Sequence, residues 1–173
     1  MPDNTPAAVV PSRVKELIKI LPQQGRLEMI LLRPGRKEPM VAVDSAEVKF
    51  GQGLVGDRFS GKPDSKRQVT LFQAENLAVL ASLLHREAID PKLLRRNLLV
   101  SGISLQALSG RRFQIGGVIL EGAAQCHPCS RMEANLGPGG FNAMRGIGGL
   151  CAKVVGEGSL ALGDSVAVVD EPV

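Results

Sequence analysis

The residues best able to do chemistry stand together in the segment Gln125–Arg131, which reads Gln-Cys-His-Pro-Cys-Ser-Arg. Cys126 and Cys129 have the Cys-x-x-Cys spacing, and His127 and Arg131 stand beside them. Positive neighbours favour the charged form of a thiol, whose ordinary pKa is about 8.5. A thiolate binds soft metals and accepts sulfur. We therefore expect Cys129 to lie at the floor of a basic pocket, where it binds a soft metal or carries sulfur.

Three other interpretations of these cysteines stay open on the sequence. A zinc site would take Cys126, Cys129 and Cys151, with His127 as a further candidate ligand, but the chain has only two histidines and lacks a second ligand pair. A thioredoxin-like redox pair would need a helix start within a βαβ unit, which the flanking sequence does not predict. The cysteines could also be buried and act as small hydrophobic groups, which we expect of Cys151.

Other side chains could recognise an anion beside this thiol. Arg95, Arg96 and Asn97 fall where a predicted helical turn runs into a strand. One arginine and Asn97 could present a planar fork and an amide to a phosphate or a carbonyl, while the other arginine is expected to be a solvated surface charge. The glycine-rich loop Gly137–Gly149, which contains Arg145, could let the backbone approach a ligand or could be a surface turn.

A glycine motif earlier in the chain does not indicate a dinucleotide site. Gly51–Gly56 matches Gly-x-Gly-x-x-Gly, but the following residues, Asp-Arg-Phe-Ser-Gly-Lys-Pro, cannot begin the regular helix that such a site needs. We expect a tight turn that directs Asp57 and Arg58 at a ligand. The alternative is a surface loop in which Asp57 pairs with Arg58 or Lys62.

Composition bounds the class of protein. The chain has 173 residues, which fits one domain, and its aromatic content of 3% requires an aliphatic core. The net charge of +4 allows an anionic ligand. We expect no nucleic acid, because the basic residues occur in scattered pairs and few aromatic side chains could stack on bases.

The sequence also predicts where the protein works. Three cysteines do not make a disulfide framework, and residues 1–11 resemble a disordered leader rather than a signal peptide. No stretch approaches the roughly 18 apolar residues of a membrane span. We expect a cytoplasmic protein without a membrane partner.

The elements that position these residues are mostly strands. A short amphipathic helix is predicted from Ser12 to about Leu21, and one long helix from about Gln73 to His85, with Leu77, Leu80, Ala81 and Leu84 on its buried face. Strands are predicted at Arg26–Leu32, Met40–Val43, Ala46–Phe50, Gln68–Phe72, Asn97–Ser101, Ala152–Val155 and Ser165–Val169, with a hairpin over Gly110–Leu120. Strands do not alternate with helices, so we predict a mostly β fold with flanking helices (α+β), arranged as a closed or half-closed barrel.

The order of short motifs resembles the MOSC domain, named for the C-terminal domain of molybdenum cofactor sulfurases. The resemblance covers about Gly25 to Val169. Its pieces are Arg33-Pro34 with Glu38-Pro39-Met40, Gly53-Leu54-Val55-Gly56-Asp57-Arg58, Arg67-Gln68-Val69-Thr70-Leu71, Leu94-Arg95-Arg96-Asn97-Leu98, Gly102-Ile103-Ser104-Leu105, Leu108-Ser109-Gly110, Pro128-Cys129, Arg145-Gly146-Ile147-Gly148-Gly149, and Gly158 through Gly163-Asp164-Ser165-Val166.

The resemblance implies a MOSC-type β-barrel that binds the molybdenum cofactor (molybdopterin). The family's marker cysteine falls at Cys129, which is similar to a direct molybdenum ligand in relatives that reduce N-hydroxylated compounds. The family's Arg-x-Asn falls on Arg95 and Asn97, implied contacts to the cofactor's phosphate or pterin. Further implied anion contacts are Arg58, Arg67 and Arg145.

The resemblance divides the chain into residues 1–24, a leader with a short helix, and residues 25–170, the MOSC domain. No aminotransferase-like domain precedes it in this sequence, so we do not expect pyridoxal phosphate. We hold three hypotheses: a molybdenum-dependent oxidoreductase that uses an external reductase, a sulfur carrier that forms a persulfide on Cys129 and works with a sulfurase, and a binding domain without catalysis.

Overall fold

The computed structural model describes residues 13–169. Within that range most elements are strands, as predicted. The strands are β1 (Gly25–Leu32), β2 (Val41–Val43), β3 (Ser45–Lys49), β4 (Gly53–Leu54), β5 (Val69–Gln73), β6 (Leu98–Ser101), β7 (Arg112–Ile115), β8 (Val118–Gln125), β9 (Leu150–Gly156), β10 (Gly158–Ala161) and β11 (Ser165–Val168). The helices are α1 (Val14–Leu17), α2 (Asn76–Leu83), α3 (Ser130–Leu136) and α4 (Gly140–Met144), with short 3-10 turns at Pro91–Leu94 and Gln106–Leu108.

The main sheet closes on itself into a barrel. Its order is β11-β7-β8-β9-β5-β6-β1-β2, and β11 also pairs with β1 through Gly25 opposite Val166, so that seven strands close the barrel and β2 lies outside it. The pair β5–β6 is parallel, and the other pairs of this sheet are antiparallel. Closure removes the exposed edges that an open sheet would leave. This confirms the predicted mostly β barrel with flanking helices.

Two aliphatic clusters hold the described part of the chain together. The larger fills the barrel and is made of inward-facing residues such as Leu27, Leu71, Val100, Phe113 and Leu120, each 0% exposed. The smaller packs the helices onto the outer face of the barrel. Its members include Phe72, Leu80, Leu94, Leu99, Met132, Leu136 and Met144. The second cluster therefore fixes the helical region that follows the Cys-x-x-Cys segment.

The loop predicted over Gly137–Gly149 contains a helix, and the segment before it contains another. Neither α3 nor α4 was predicted, because they are only seven and five residues long and too short to show a helical period. Their junction is held by the Glu133 carboxylate, which accepts hydrogen bonds from the backbone N–H groups of Gly139 and Phe141, both at 2.8 Å. This cap links two helices and cannot be read from the periodicity of either one.

The helix near the start of the described chain is shorter than predicted. It covers Val14–Leu17 and has no buried residue, and Val14 is 69% exposed. The predicted capping residue, Ser12, and the predicted leader over residues 1–11 lie outside the described residues. The long predicted helix is α2, which begins at Asn76 because Gln73 still belongs to β5.

Candidate functional site

A basic cavity opens where β1, β6 and the segment before α3 come together. Its volume is about 280 Å³. Among the described residues, its lining contains six arginines, one cysteine and one methionine: Arg33, Arg58, Arg67, Arg95, Arg96, Arg131, Cys129 and Met132. No carboxylate of residues 13–169 belongs to this lining. A concave site with one sign of charge concentrates ions of the opposite sign, so the cavity is suited to an anion.

Cys129 brings a thiol to this cavity. It is exposed, in contrast to Cys126 and Cys151, which are buried. Its backbone is extended (φ −133°, ψ −179°) and it immediately precedes α3, whose N–H group at Met132 donates to the Cys129 carbonyl at 2.9 Å. The end of β8 on one side and α3 on the other thus fix the position of the thiol.

Arg33 is held by a two-point ion pair that sequence analysis missed. Its Nε and Nη2 atoms donate to Asp57 at 3.1 and 2.7 Å, and its backbone N–H donates to Asp57 Oδ1 at 2.7 Å. Burial of Asp57 opposes ionisation, but the hydrogen bonds and charge of Arg33 outweigh it and lower the pKa of Asp57. The sequence interpretation that Asp57 pairs with Arg58 or Lys62 is wrong, since its partner stands 24 positions earlier.

Asn97 lies beneath the cavity and not in its lining. It is 0% exposed, and its amide group donates to the Leu31 carbonyl at 3.1 Å and to Asp57 Oδ1 at 3.0 Å. Its side-chain oxygen accepts from the backbone and hydroxyl of Thr70, both at 3.1 Å. All of its hydrogen-bonding groups are engaged, so in this arrangement Asn97 positions Asp57, which in turn orients Arg33. Its predicted contact with a ligand stays a prediction.

Arg95 and Arg96 occupy different environments, and neither is the solvated surface charge expected of one of them. Arg95 has a left-handed backbone (φ 60°) and donates to the carbonyls of Glu38 and Gly35, the latter at 3.1 Å. Burial first, and then the charge of Arg131 and of two other arginines, lowers the pKa of Arg95. The cavity therefore holds guanidinium groups that repel one another, and a bound anion would reduce that repulsion.

Arg96 is only 5% exposed. Its three nitrogens donate to the carbonyls of Gly148 (2.8 Å), Leu94 (2.9 Å) and Cys126 (3.2 Å). These bonds connect the strand β6, the loop before β9 and the segment after β8. Arg96 thus places a fixed positive charge at the base of the cavity.

Arg67 lies next to a second thiol. Its Nη2 atom is 3.6 Å from Cys126 Sγ, and Cys126 is 1% exposed. A hydrogen bond from Cys151, followed by the charges of Arg96 and Arg67, outweighs burial and lowers the pKa of Cys126 to about 6. Cys151 is 3% exposed, as expected of a cysteine that acts as a small buried hydrophobic group.

The comparisons with known proteins agree with this geometry. A family model described as "MOSC domain" matches residues 47–167. The chain belongs to the MOSC domain family. That family is associated with binding of the molybdenum cofactor. No curated protein sequence matches the chain.

Solved structures share the MOSC fold with this chain. The YuaD protein from Bacillus subtilis is 19% identical with a TM-score of 0.74, covering 88% of this chain and 100% of its own. YiiM from Geobacillus stearothermophilus is 16% identical (TM-score 0.68, 86% of this chain and 77% of its own). YiiM from Escherichia coli is 17% identical (TM-score 0.65, 85% and 71%). At these identities the likeness concerns the fold.

A wider basin adjoins the cavity of this MOSC domain. Its volume is about 470 Å³, and it shares Arg95 and Arg131 with the Cys129 cavity. The other residues that line it are Arg36, Lys37, Ser130, Ala134 and Asn135. Two shared guanidinium groups thus separate a thiol-bearing space from a second basic space, and one elongated anion could occupy both.

Of the other three predicted site residues, two line the cavity and one does not. Arg58 and Arg67 line the MOSC cavity, and the Arg58 backbone N–H donates to the Arg33 carbonyl at 2.8 Å. Arg145 is exposed where α4 ends and does not belong to the lining of either space. Its predicted cofactor contact stays a prediction that this arrangement does not favour.

The side chains of the described range do not form a metal cage of their own. No group of three or more His, Cys, Asp or Glu residues converges between residues 13 and 169, so the zinc interpretation of Cys126, Cys129, Cys151 and His127 has no support there. A soft metal bound at Cys129 would have to arrive with ligands of its own. In the same range, no helix is long and apolar enough to cross a membrane.

Proposed function

We propose that this MOSC domain binds the molybdenum cofactor and that the Cys129 thiolate is the protein ligand of the metal. The observation that carries the proposal is an exposed thiol in a cavity to which the described part of the chain contributes six arginines and no carboxylate. The cofactor combines a phosphate, a hydrogen-bonding pterin and a metal held by the cofactor's own sulfurs. A site that offers one soft ligand and many anion donors fits that combination.

The two adjoining spaces support an assignment of the cofactor's parts. Cys129 and Met132 face the smaller cavity, where the soft metal end belongs. Arg36 and Lys37 line the wider basin, and their charges would suit the phosphate. Arg95 and Arg131, shared by both spaces, would contact the pterin between them, since guanidinium groups match planar acceptors at two points.

The bound molybdenum would supply two-electron redox chemistry. The chain's own residues would bind and orient the cofactor and leave the outward side of Cys129 open for a substrate. The resemblance points to N-hydroxylated compounds as that substrate, with electrons from an external reductase.

The proposal is tested by metal and pterin analysis of the full chain made in cells that synthesise the cofactor. We expect close to one molybdenum per chain in the wild-type protein and loss of the metal in Cys129→Ser. Arg145→Ala, which changes a cation outside both spaces, is the matched control and should keep its metal. Wild-type protein that stays free of molybdenum in such cells would contradict the proposal.

A second function is favoured by the exposure of Cys129, because a sulfur carrier must present its thiol to a donor and an acceptor. In that case Cys129 would bear a persulfide supplied by a separate sulfurase. The mass of the Cys129 peptide would then be larger by one sulfur atom, and a thiol reductant would remove the increase. A metal-free protein with that mass would replace the first proposal with this one.

A further inference from the structure

The loop between β1 and β2 supplies the wider basin with two cations that the Cys129 cavity does not share. Residues 33–40 read Arg-Pro-Gly-Arg-Lys-Glu-Pro-Met, and Arg36 and Lys37 of this loop are exposed and line the basin. A free Arg or Lys side chain loses much rotamer freedom when a ligand fixes it, and a mobile turn would add to that cost. How well these two charges bind an anion therefore depends on what holds the turn in place.

Arg95 holds this turn with two nitrogens of its guanidinium group. Its Nη1 atom donates to the Glu38 carbonyl, and its Nη2 atom donates to the Gly35 carbonyl at 3.1 Å. These carbonyls belong to the residues on either side of the Arg36–Lys37 pair. In the described part of the chain, residues 34–39 make no other hydrogen bond to the rest of the protein. The guanidinium of Arg95 thus brackets the two cations of the basin.

The backbone on both sides of this contact has an uncommon conformation. Only three non-glycine residues between residues 13 and 169 have a positive φ, and two of them are Lys37 (64°) and Arg95 (60°). Residues with a Cβ disfavour this left-handed region, so they keep it where surrounding contacts enforce it. The contact of Arg95 with the turn is therefore a specified arrangement and not one of many open conformations of an exposed loop.

The charge and the shape of Arg95 can be separated by substitution. A guanidinium has five N–H donors, of which two go to the turn, so the others can still face the cavity and the basin that Arg95 lines. Lysine carries the same charge, but its single nitrogen cannot present two donors at the fixed separation of a guanidinium fork. Arg95→Lys therefore releases the turn and keeps the charge.

We propose that Arg95 is a positioning residue, which holds the Arg36–Lys37 turn at the wider basin so that both cations are ready to bind a phosphate-bearing anion. The identity of that anion rests on the proposed function, in which the basin takes the cofactor's phosphate. Arg95 then adds to anion binding through the turn, beyond the attraction of its own charge. The cost of losing Arg36 should accordingly depend on whether Arg95 is present.

The first test measures the turn without any ligand. Trypsin cleaves after Arg36 or Lys37 only when the turn opens locally, so the initial cleavage rate reports how firmly the turn is held. In the full chain, Arg95→Lys should raise that rate at least fivefold, whereas cleavage after Lys66 should keep its wild-type rate. Arg145→Lys makes the same exchange outside both spaces and is the matched control, with no change at either position. An unchanged rate in Arg95→Lys would overturn the proposal.

The second test measures the binding of inorganic pyrophosphate to the full chain without cofactor, by isothermal titration calorimetry. We expect Arg95→Lys to raise the dissociation constant at least fivefold, although its charge is unchanged. Arg36→Ala should raise it at least fivefold in the wild-type background and less than twofold in the Arg95→Lys background, because a released turn no longer places Arg36 in the basin. Residues that act independently would give equal factors in the two backgrounds.

Two binding results would also overturn the proposal: an equal factor for Arg36→Ala in both backgrounds, or wild-type protein that does not bind pyrophosphate. Neither result depends on Cys129 or on a metal. Wild-type protein that lacks molybdenum but shows the coupling between Arg95 and Arg36 would contradict the proposed function and support this proposal. Protein that holds molybdenum but shows equal factors would do the reverse.

Discussion

Asp57 connects buried Asn97 to Arg33 in the lining of the cavity. Asn97, held by Thr70 and by the Leu31 carbonyl, donates to Asp57, and Asp57 accepts two side-chain bonds from Arg33. The side chains of Asp57 and Arg33 are 1% and 16% exposed. A partly buried two-point ion pair orients one wall of the site, and removing one partner leaves a desolvated charge.

Replacement of Asp57 by asparagine should make the free energy of unfolding depend less on pH. The pKa of Asp57 is lowered from 3.8, so its ionised form contributes stability that is complete above that value and is lost as the pH falls through the lower folded-state pKa. We expect Asp57→Asn to cost about 2 kcal/mol at neutral pH and less in strong acid. Urea unfolding at both pH values measures this. Asp64→Asn, at an exposed loop position, is the control; an equal cost at both pH values would contradict the account.

The thiolate at Cys126 gives a second prediction. The pKa of Cys126 is held at about 6 by Cys151 and by the charges of Arg96 and Arg67. Ultraviolet absorbance should therefore show one thiolate forming near that pH, and Arg67→Ala should move the step upward because a nearby positive charge is lost. Arg145→Ala should leave the step in place. A step that survives in Cys126→Ser would show that another thiol is responsible.

The elements around the site are fixed by caps and by close backbone contacts rather than by long helices. Glu133 joins α3 to α4, and its pKa is lowered because it accepts the N–H groups of Phe141 and Gly139. The loop that leads into β9 passes close under β5. At Gly149 (φ +108°) an added Cβ would lie 2.1 Å from the Leu71 carbonyl oxygen.

Two glycine-to-alanine substitutions in this loop should distinguish the cost of a positive φ from the cost of a steric clash with β5. Gly149→Ala combines a positive φ with a backbone clash and should destabilise the protein by about 3 kcal/mol or more. Gly146→Ala is a matched control, since its φ is +82° but no atom of the described residues lies within 4 Å of the added Cβ, and it should cost about 1 kcal/mol. Urea unfolding of both variants measures the difference. Equal costs would mean that the approach to β5 is not tight.

Closure of the barrel is a property of the whole molecule. Val166 in β11 lies opposite Gly25 on one side and Ile115 on the other, and it is 0% exposed. The first and last strands of the described range thus meet at this residue. The closed wall supports β1, which leads to Arg33, and β8, which leads to Cys126.

Val166→Ala should therefore weaken the entire barrel. Loss of two buried methyl groups is expected to cost about 2 kcal/mol. The neighbouring Ser165→Ala changes an exposed residue of the same strand and should stay within about 0.5 kcal/mol of the wild type. Urea unfolding should show a single transition in both variants. An unaffected Val166→Ala would show that the closing contact contributes little.

The sequence predicted the barrel because alternating aliphatic runs mark strands locally, and the Gly110–Leu120 hairpin and α2 follow the same logic. It did not predict the pairing of Arg33 with Asp57, because that contact depends on how two distant segments fold together. The sequence also did not predict that Asn97 and Arg96 are buried, since the side chain of a polar residue at the start of a strand can face the interior or the solvent. The contact of Arg67 with Cys126 was missed because the two residues are 59 positions apart in the chain.

The most direct test of the central claim is X-ray absorption spectroscopy at the molybdenum edge of protein isolated with its cofactor. Wild-type protein should show the sulfur neighbours that the cofactor supplies plus one further sulfur at bonding distance. Cys129→Ser, if it retains any metal, should lack that further sulfur, while Cys126→Ser should keep it. Wild-type protein whose molybdenum shows only the sulfurs that the cofactor supplies would contradict the assignment of Cys129 as the ligand.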